Sequence, residues 1–163
     1  MYNIHYISYL ARFILTPIIA LAGNNYLKLV IILIFLDLID CNPLFIKLLP
    51  KEEIKKQEYC SKNRRYFIVD KWLDLYQYIF ALILLRSIFS NNSYYILISL
   101  FFYRFIGVIL YQLTGDSINF IYFFDFIKEY IVLIAIYGNK VPRNILVTSV
   151  VLKIGYEYLI YRS

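Results

Sequence analysis

The stretch YYILISLFFYRFIGVILYQL, residues 94–113, decides how this chain is read. Its twenty residues contain one charge, Arg104. A helix that crosses a bilayer takes about 20 mainly apolar residues, so this run is one crossing. Working outward, comparable apolar runs occupy 2–22, 26–46, 73–89, 120–137 and 145–161. Turn-forming sequences separate most of them: Gly23-Asn24-Asn25, Asn91-Asn92-Ser93, Thr114-Gly115-Asp116-Ser117 and Gly138-Asn139-Lys140-Val141-Pro142. The pattern predicts an all-α fold, a polytopic membrane protein built as a bundle of about six transmembrane helices in a single membrane domain over 1–163.

Composition agrees. Of the 163 residues, 61% are hydrophobic and 17% charged, whereas a soluble domain is nearer half apolar and a quarter charged. Disorder is excluded by the abundance of Ile, Leu, Tyr and Phe. The formal charge of +6 reads as membrane topology, because basic residues gather in cytoplasmic loops. The expected partner is therefore the lipid bilayer, with no nucleic acid.

One connection is long. Residues 47–71 carry Lys51, Lys55, Lys56, Lys62, Arg64 and Arg65 beside Glu52, Glu53 and Glu58, a solvated or interfacial pattern. The positive-inside rule puts this basic loop and both termini in the cytoplasm, and Lys140 and Arg143 on the far side. Ala20-Leu21-Ala22 resembles a cleavage site, but no basic region precedes it and Arg12 interrupts the run. The segment reads as a retained first helix. Cys41 and Cys60 match no zinc spacing and read as unpaired thiols, and His5 has no other ligand type near it.

Ionisable residues within apolar segments carry the functional information, since each costs roughly 2.5–3.5 kcal/mol at a helix centre. Asp37 and Asp40 lie three apart late in the second helix, and Asp70 and Asp74 four apart at the start of the third. Each pair shares a helix face. Antiparallel helices joined through the basic loop place both pairs at one depth, where four carboxylates can converge. Such a cluster needs neutralising cations or basic groups. An all-oxygen donor set suits Mg²⁺ or Mn²⁺, which complete their shells with substrate phosphates. Arg104, with Gly107 one turn on, is a candidate for an acceptor phosphate or a lipid headgroup. Asp125, Lys128 and Glu129, and Lys153 with Glu157, have spacings that let them neutralise each other locally.

The arrangement resembles the CDP-alcohol phosphatidyltransferase family, six-helix membrane enzymes with the signature D-x2-D-G-x2-A-R-x8-G-x3-D-x3-D. Asp37-x2-Asp40 matches its opening and Asp70-x3-Asp74 its close. Leu10-Ala11-Arg12-Phe13-Ile14-Leu15-Thr16-Pro17 is similar to the family's first-helix stretch, which makes Arg12 a candidate substrate-binding residue. Cys41, Leu44, Phe45 and Tyr66 stand where the family has its Gly, Ala, Arg and second Gly, and the interval from Asp40 to Asp70 is longer than the signature allows.

The resemblance implies a phosphotransferase of phospholipid synthesis. Asp37, Asp40, Asp70 and Asp74 would be metal ligands for two Mg²⁺ or Mn²⁺ ions, and Asp74 the catalytic base. The substrates would be a CDP-linked lipid or alcohol and an acceptor alcohol, with CMP released and a homodimer as the expected assembly. The altered positions raise a second expectation, an inactive relative acting as a structural membrane protein. Intramembrane charge alone raises a third, a small ion channel or transporter.

Overall fold

The computed structural model describes residues 10, 12–18 and 64–161. The second expected helix, Asp37, Asp40, Cys41, Cys60, His5 and most of the basic loop lie outside them. All of the described elements are helices, and no strand occurs among the described residues. Residues 12–18 are helical. They are followed by α1 (Arg64–Leu85), α2 (Asn91–Thr114), α3 (Asn119–Tyr122), α4 (Ile127–Tyr137) and α5 (Arg143–Tyr161). Contacts group the chain into two compact units, Met1–Phe80 and Ala81–Ser163.

In the first unit, Arg12 and Phe13 of the segment 12–18 contact α1. Pro17 has no N–H, so the carbonyl of Phe13, four residues earlier, lacks its helical donor. The Tyr76 hydroxyl donates to that carbonyl at 3.4 Å. The Phe13 and Tyr76 rings stack with centroids 5.1 Å apart, and Tyr76 meets Phe80 edge-on at 5.0 Å. Thr16, fully buried, donates its hydroxyl to the carbonyl of Arg12.

The expected third helix, 73–89, begins nine residues earlier, at Arg64, and ends at Leu85. The early start puts Lys71 on the same helix as Asp70 and Asp74, which sequence reading expects at its beginning. At the other end, the N–H groups of Ile88 and Phe89 both bond the Leu85 carbonyl, at 3.1 and 3.0 Å, and close a turn. Ser90 then caps α2, its Oγ accepting from the Ser93 N–H at 3.4 Å. The far end of α2 stops at Gly115. There φ is +76°, a conformation that favours glycine, and its N–H bonds the Tyr111 carbonyl at 2.8 Å.

In the second unit α2 contacts α3 and α4, and α5 contacts α3 and α4. The Ser90 N–H donates to Asn139 Oδ1 at 3.0 Å, and the Ser117 hydroxyl to the Tyr161 carbonyl at 3.4 Å. The start of α2 therefore lies beside the end of α4, and the end of α2 beside the end of α5. Thus α2 and α4 run antiparallel. Phe120, fully buried, joins α2 and α5 at one end: its ring lies 4.9 Å from Tyr111 and 5.3 Å from Tyr161.

The expected continuous helix 120–137 is broken. α3 ends at Tyr122 and α4 starts at Ile127. The eleven residues of α4 rise about 17 Å, roughly half a bilayer core. The break is held by side chains. Tyr103 donates its hydroxyl to the Tyr122 carbonyl, Arg104 Nη1 donates to the Phe123 carbonyl at 2.8 Å, and Asp125 Oδ1 accepts from the Ile127 N–H at 3.3 Å. Non-helical backbone survives in an apolar setting only when its polar groups are met in this way.

Beside a buried apolar core that includes Leu85, Leu97, Phe120 and Ile131, exposed apolar side chains and buried charges both occur. Large apolar side chains face outward: Tyr95, Phe102, Ile106 and Leu113 form one stripe of α2, and Val147, Val151, Ile154 and Tyr158 one stripe of α5. Arg12, Asp74, Gln77, Arg104, Asp125 and Glu157 are buried. Leu113 is 75% exposed, Arg104 2%. Among the described residues, α2 is the helix long and apolar enough by itself to cross a membrane.

Gly107 marks the closest approach to the break. A Cβ there would stand 2.4 Å from the Cβ of Phe123, and neither atom could rotate away. Gly107→Val is expected to destabilise the fold by about 2–3 kcal/mol through overpacking, seen as a lower midpoint in SDS-induced unfolding followed by circular dichroism. An unchanged midpoint contradicts the close approach.

Candidate functional site

Residues spaced by four and three recur on one helix face, and on α1 that face carries Asp70, Asp74 and Gln77. Arg12 meets it from the segment 12–18. Its Nη1 donates to Asp70 Oδ1 at 2.8 Å, and its Nη2 to Asp74 Oδ1 at 2.6 Å and to Gln77 Oε1 at 3.1 Å. Lys71 closes the other side, its Nζ bonding Asp70 Oδ2 at 2.9 Å and Asp74 Oδ2 at 3.2 Å. Every oxygen of the two carboxylates thus accepts from a cationic group.

The guanidinium fork suits this task because its planar N–H groups can serve two carboxylates at once, which an ammonium does with less geometric definition. Burial differs across the cluster. The side chains of Arg12 and Asp74 are 2% and 3% exposed, and those of Lys71 and Asp70 13% and 18%. Gln77 is buried and its Nε2 has no hydrogen-bond partner among the described residues.

Of the sequence-predicted site residues, Arg12, Asp70 and Asp74 come together here. Asp37 and Asp40 lie outside the described residues. Among the described residues no group of three or more His, Cys, Asp or Glu is placed to hold a metal ion. Lys71 and Gln77 were not singled out by sequence reasoning. The signal for Gln77 was present, since it follows Asp70 by seven positions and therefore shares its face.

A second charged cluster lies in the other unit. Arg104 is buried, its guanidinium donating to the Phe123 carbonyl and standing 4.5 Å over the Phe120 ring. Lys153 Nζ, on α5, reaches Glu129 Oε1 on α4 at 2.8 Å and Glu157 Oε1 on its own helix at 3.4 Å. Asp125 also acts on Lys153 and lies 3.9 Å from Lys128 Nζ. Sequence spacing anticipates the Lys153–Glu157 and Asp125–Lys128 pairs. The link between Lys153 and Glu129 joins two helices, which spacing within one helix cannot reveal. Lys153 ties α5 to the start of α4 beyond the break, and Arg104 holds the break itself through the Phe123 carbonyl.

No family model, curated protein or solved structure matches the chain.

Removing one partner of a buried ion pair leaves the other charge uncompensated, at about 3–5 kcal/mol. Arg12→Met is therefore expected to destabilise the fold by about 3 kcal/mol or more, and Arg12→Lys to restore only part of the loss. SDS unfolding midpoints measure both. Equal midpoints for Arg12→Lys and the parent protein contradict the role of the fork.

Proposed function

We propose that this chain is a multi-pass membrane protein with CDP-alcohol phosphatidyltransferase-type activity, moving a phosphatidyl or phospho-alcohol group from a CDP-linked donor to an acceptor hydroxyl with release of CMP. The supporting observation is the meeting of Arg12 with Asp70 and Asp74. Two of the three stretches that carry the resemblance, 58 and 62 residues apart in sequence at these contacts, converge on one cluster. Membrane residence is supported by the outward apolar faces, the buried charges and the length of α2. The basic residues 51–65 favour a cytoplasmic position for the cluster, which lies in the first half of α1.

Two carboxylates converging on one helix face are hard oxygen donors of the kind that hold Mg²⁺ or Mn²⁺. Asp70 and Asp74, with Asp37 and Asp40, would be the ligands. The bound cations would neutralise the charge of the diphosphate. Asp74 is the candidate base. Its carboxylate takes the proton of the acceptor hydroxyl as that oxygen bonds to the β-phosphorus, and the bond from that phosphorus to the oxygen of CMP breaks. Oδ2 is the candidate oxygen, since its 3.2 Å contact to Lys71 is the longest of the four that Arg12 and Lys71 make to the two carboxylates. Arg12 keeps the carboxylates oriented through Oδ1 of each.

A second reading follows from the same contacts. Because Arg12 and Lys71 already engage all four carboxylate oxygens, the cluster can also serve as a structural lock in a relative without catalysis.

The test is Mg²⁺- or Mn²⁺-dependent exchange of labelled CMP into CDP-diacylglycerol by the purified protein in lipid. The parent protein is expected to exchange, and Asp74→Asn to lose about 10²-fold or more, as expected for loss of a general base. An inert parent protein, where an authentic family member exchanges CMP, assigns the cluster to the structural reading.

A further inference from the structure

The connections 86–92 and 138–144 meet at one end of the second unit, where the Ser90 N–H donates to Asn139 Oδ1 at 3.0 Å. Between them they carry Arg86, Lys140 and Arg143 and no acid. All three basic residues are exposed. The ion pairs among the described residues draw their cations from Arg12, Lys71, Lys128 and Lys153, and none involves these three. Both α2 and α5 begin at this end without an acid in the first turn, so no local carboxylate offsets the charge. On α4 the nearest acid, Glu129, stands eight residues before the helix ends, a rise of about 12 Å, and is already paired with Lys153. That separation exceeds the screening length of about 8 Å in physiological salt. Three positive charges are thus left uncompensated within the unit.

Beside them the surface is apolar. Ile136 lies four residues before Lys140 and Val147 four residues after Arg143, and both are more than half exposed, as is Tyr95 in the first turns of α2. Ile88, two residues past Arg86, is exposed as well. A soluble anion answers the charge and leaves this rim in water. An anionic phospholipid answers both, since its phosphate can meet the cations while its acyl chains cover the apolar side chains next to them.

We propose that this end of the second unit is a binding surface for anionic phospholipid headgroups, with Arg86, Lys140 and Arg143 engaging the phosphates. The proposal rests on membrane residence and is independent of phosphotransfer at Arg12, Asp70 and Asp74. Bound headgroups fix the depth at which the starts of α2 and α5 sit in the bilayer.

The experiment reconstitutes the full chain in phosphatidylcholine bilayers. Electron paramagnetic resonance reads the motionally restricted fraction of spin-labelled phosphatidylglycerol or spin-labelled phosphatidylcholine. The parent protein is expected to restrict phosphatidylglycerol about fivefold more strongly than phosphatidylcholine. Replacing Arg86, Lys140 and Arg143 together by Gln should equalise the two lipids. Replacing Lys51, Lys55 and Lys56 by Gln removes the same charge from the basic loop and should leave the preference intact. Arg86→Gln alone should lower the preference, and it serves where the triple variant loses the parent's circular dichroism. Equal restriction of both lipids by the parent overturns the lipid surface and leaves membrane residence standing. Equal loss of preference in the two triple variants also overturns it, because net charge is then responsible. Loss of the preference when inorganic phosphate replaces chloride at equal ionic strength assigns the patch to a free anion and overturns the lipid. A chain that restricts neither lipid overturns membrane residence and this surface together.

Discussion

The contact on which the first unit depends is the fork of Arg12 across Asp70 and Asp74. In a chain this apolar a charge away from water is expensive, and the cost falls only when opposite charges meet with good geometry. Arg12 supplies that geometry from 58 residues away, and Lys71 completes it from the next position on α1. The packing of the segment 12–18 then follows. Pro17 leaves the Phe13 carbonyl without a helical donor, and Tyr76, two residues past Asp74, provides one while its ring stacks on Phe13.

The same requirement shapes the second unit in a different material. The helix expected over 120–137 gives up four residues of regular backbone, 123–126, and each freed polar group must be satisfied. Tyr103 and Arg104 on α2 take two carbonyls, and Asp125 takes an N–H. Gly107, one turn beyond Tyr103, lets the backbone of the break come close enough for those bonds to form. Lys153 and Glu129 fasten α5 to the start of α4 just beyond. An arginine that reads in sequence as a candidate ligand for a substrate phosphate is thus engaged in holding irregular backbone.

Helix content was legible because apolar runs of spanning length, punctuated by Asn, Gly and Pro, leave few other folds. The expected helix 94–113 lies within the observed Asn91–Thr114, and the expected 145–161 within Arg143–Tyr161. Misplaced boundaries came where charge and helix coincide. Residues 64–69 and Lys71 read as loop because hydropathy falls there, yet the pairing of Lys71 with Asp70 makes a charged first half of α1 favourable. The break at 123–126 was invisible because Phe123, Phe124 and Phe126 are as apolar as any helical residue.

The sequence by itself determined that the chain is helical and apolar, and that its few charges fall in face-sharing pairs, because period and composition are local properties. Tertiary structure alone decided which charge meets which: Arg12 with Asp70 and Asp74, Lys153 with Glu129, Arg104 with the Phe123 carbonyl. The physical reason is that pairing in a low-dielectric interior is settled by distance and orientation to within an ångström. Those are set by how helices pack, which no spacing along one helix contains.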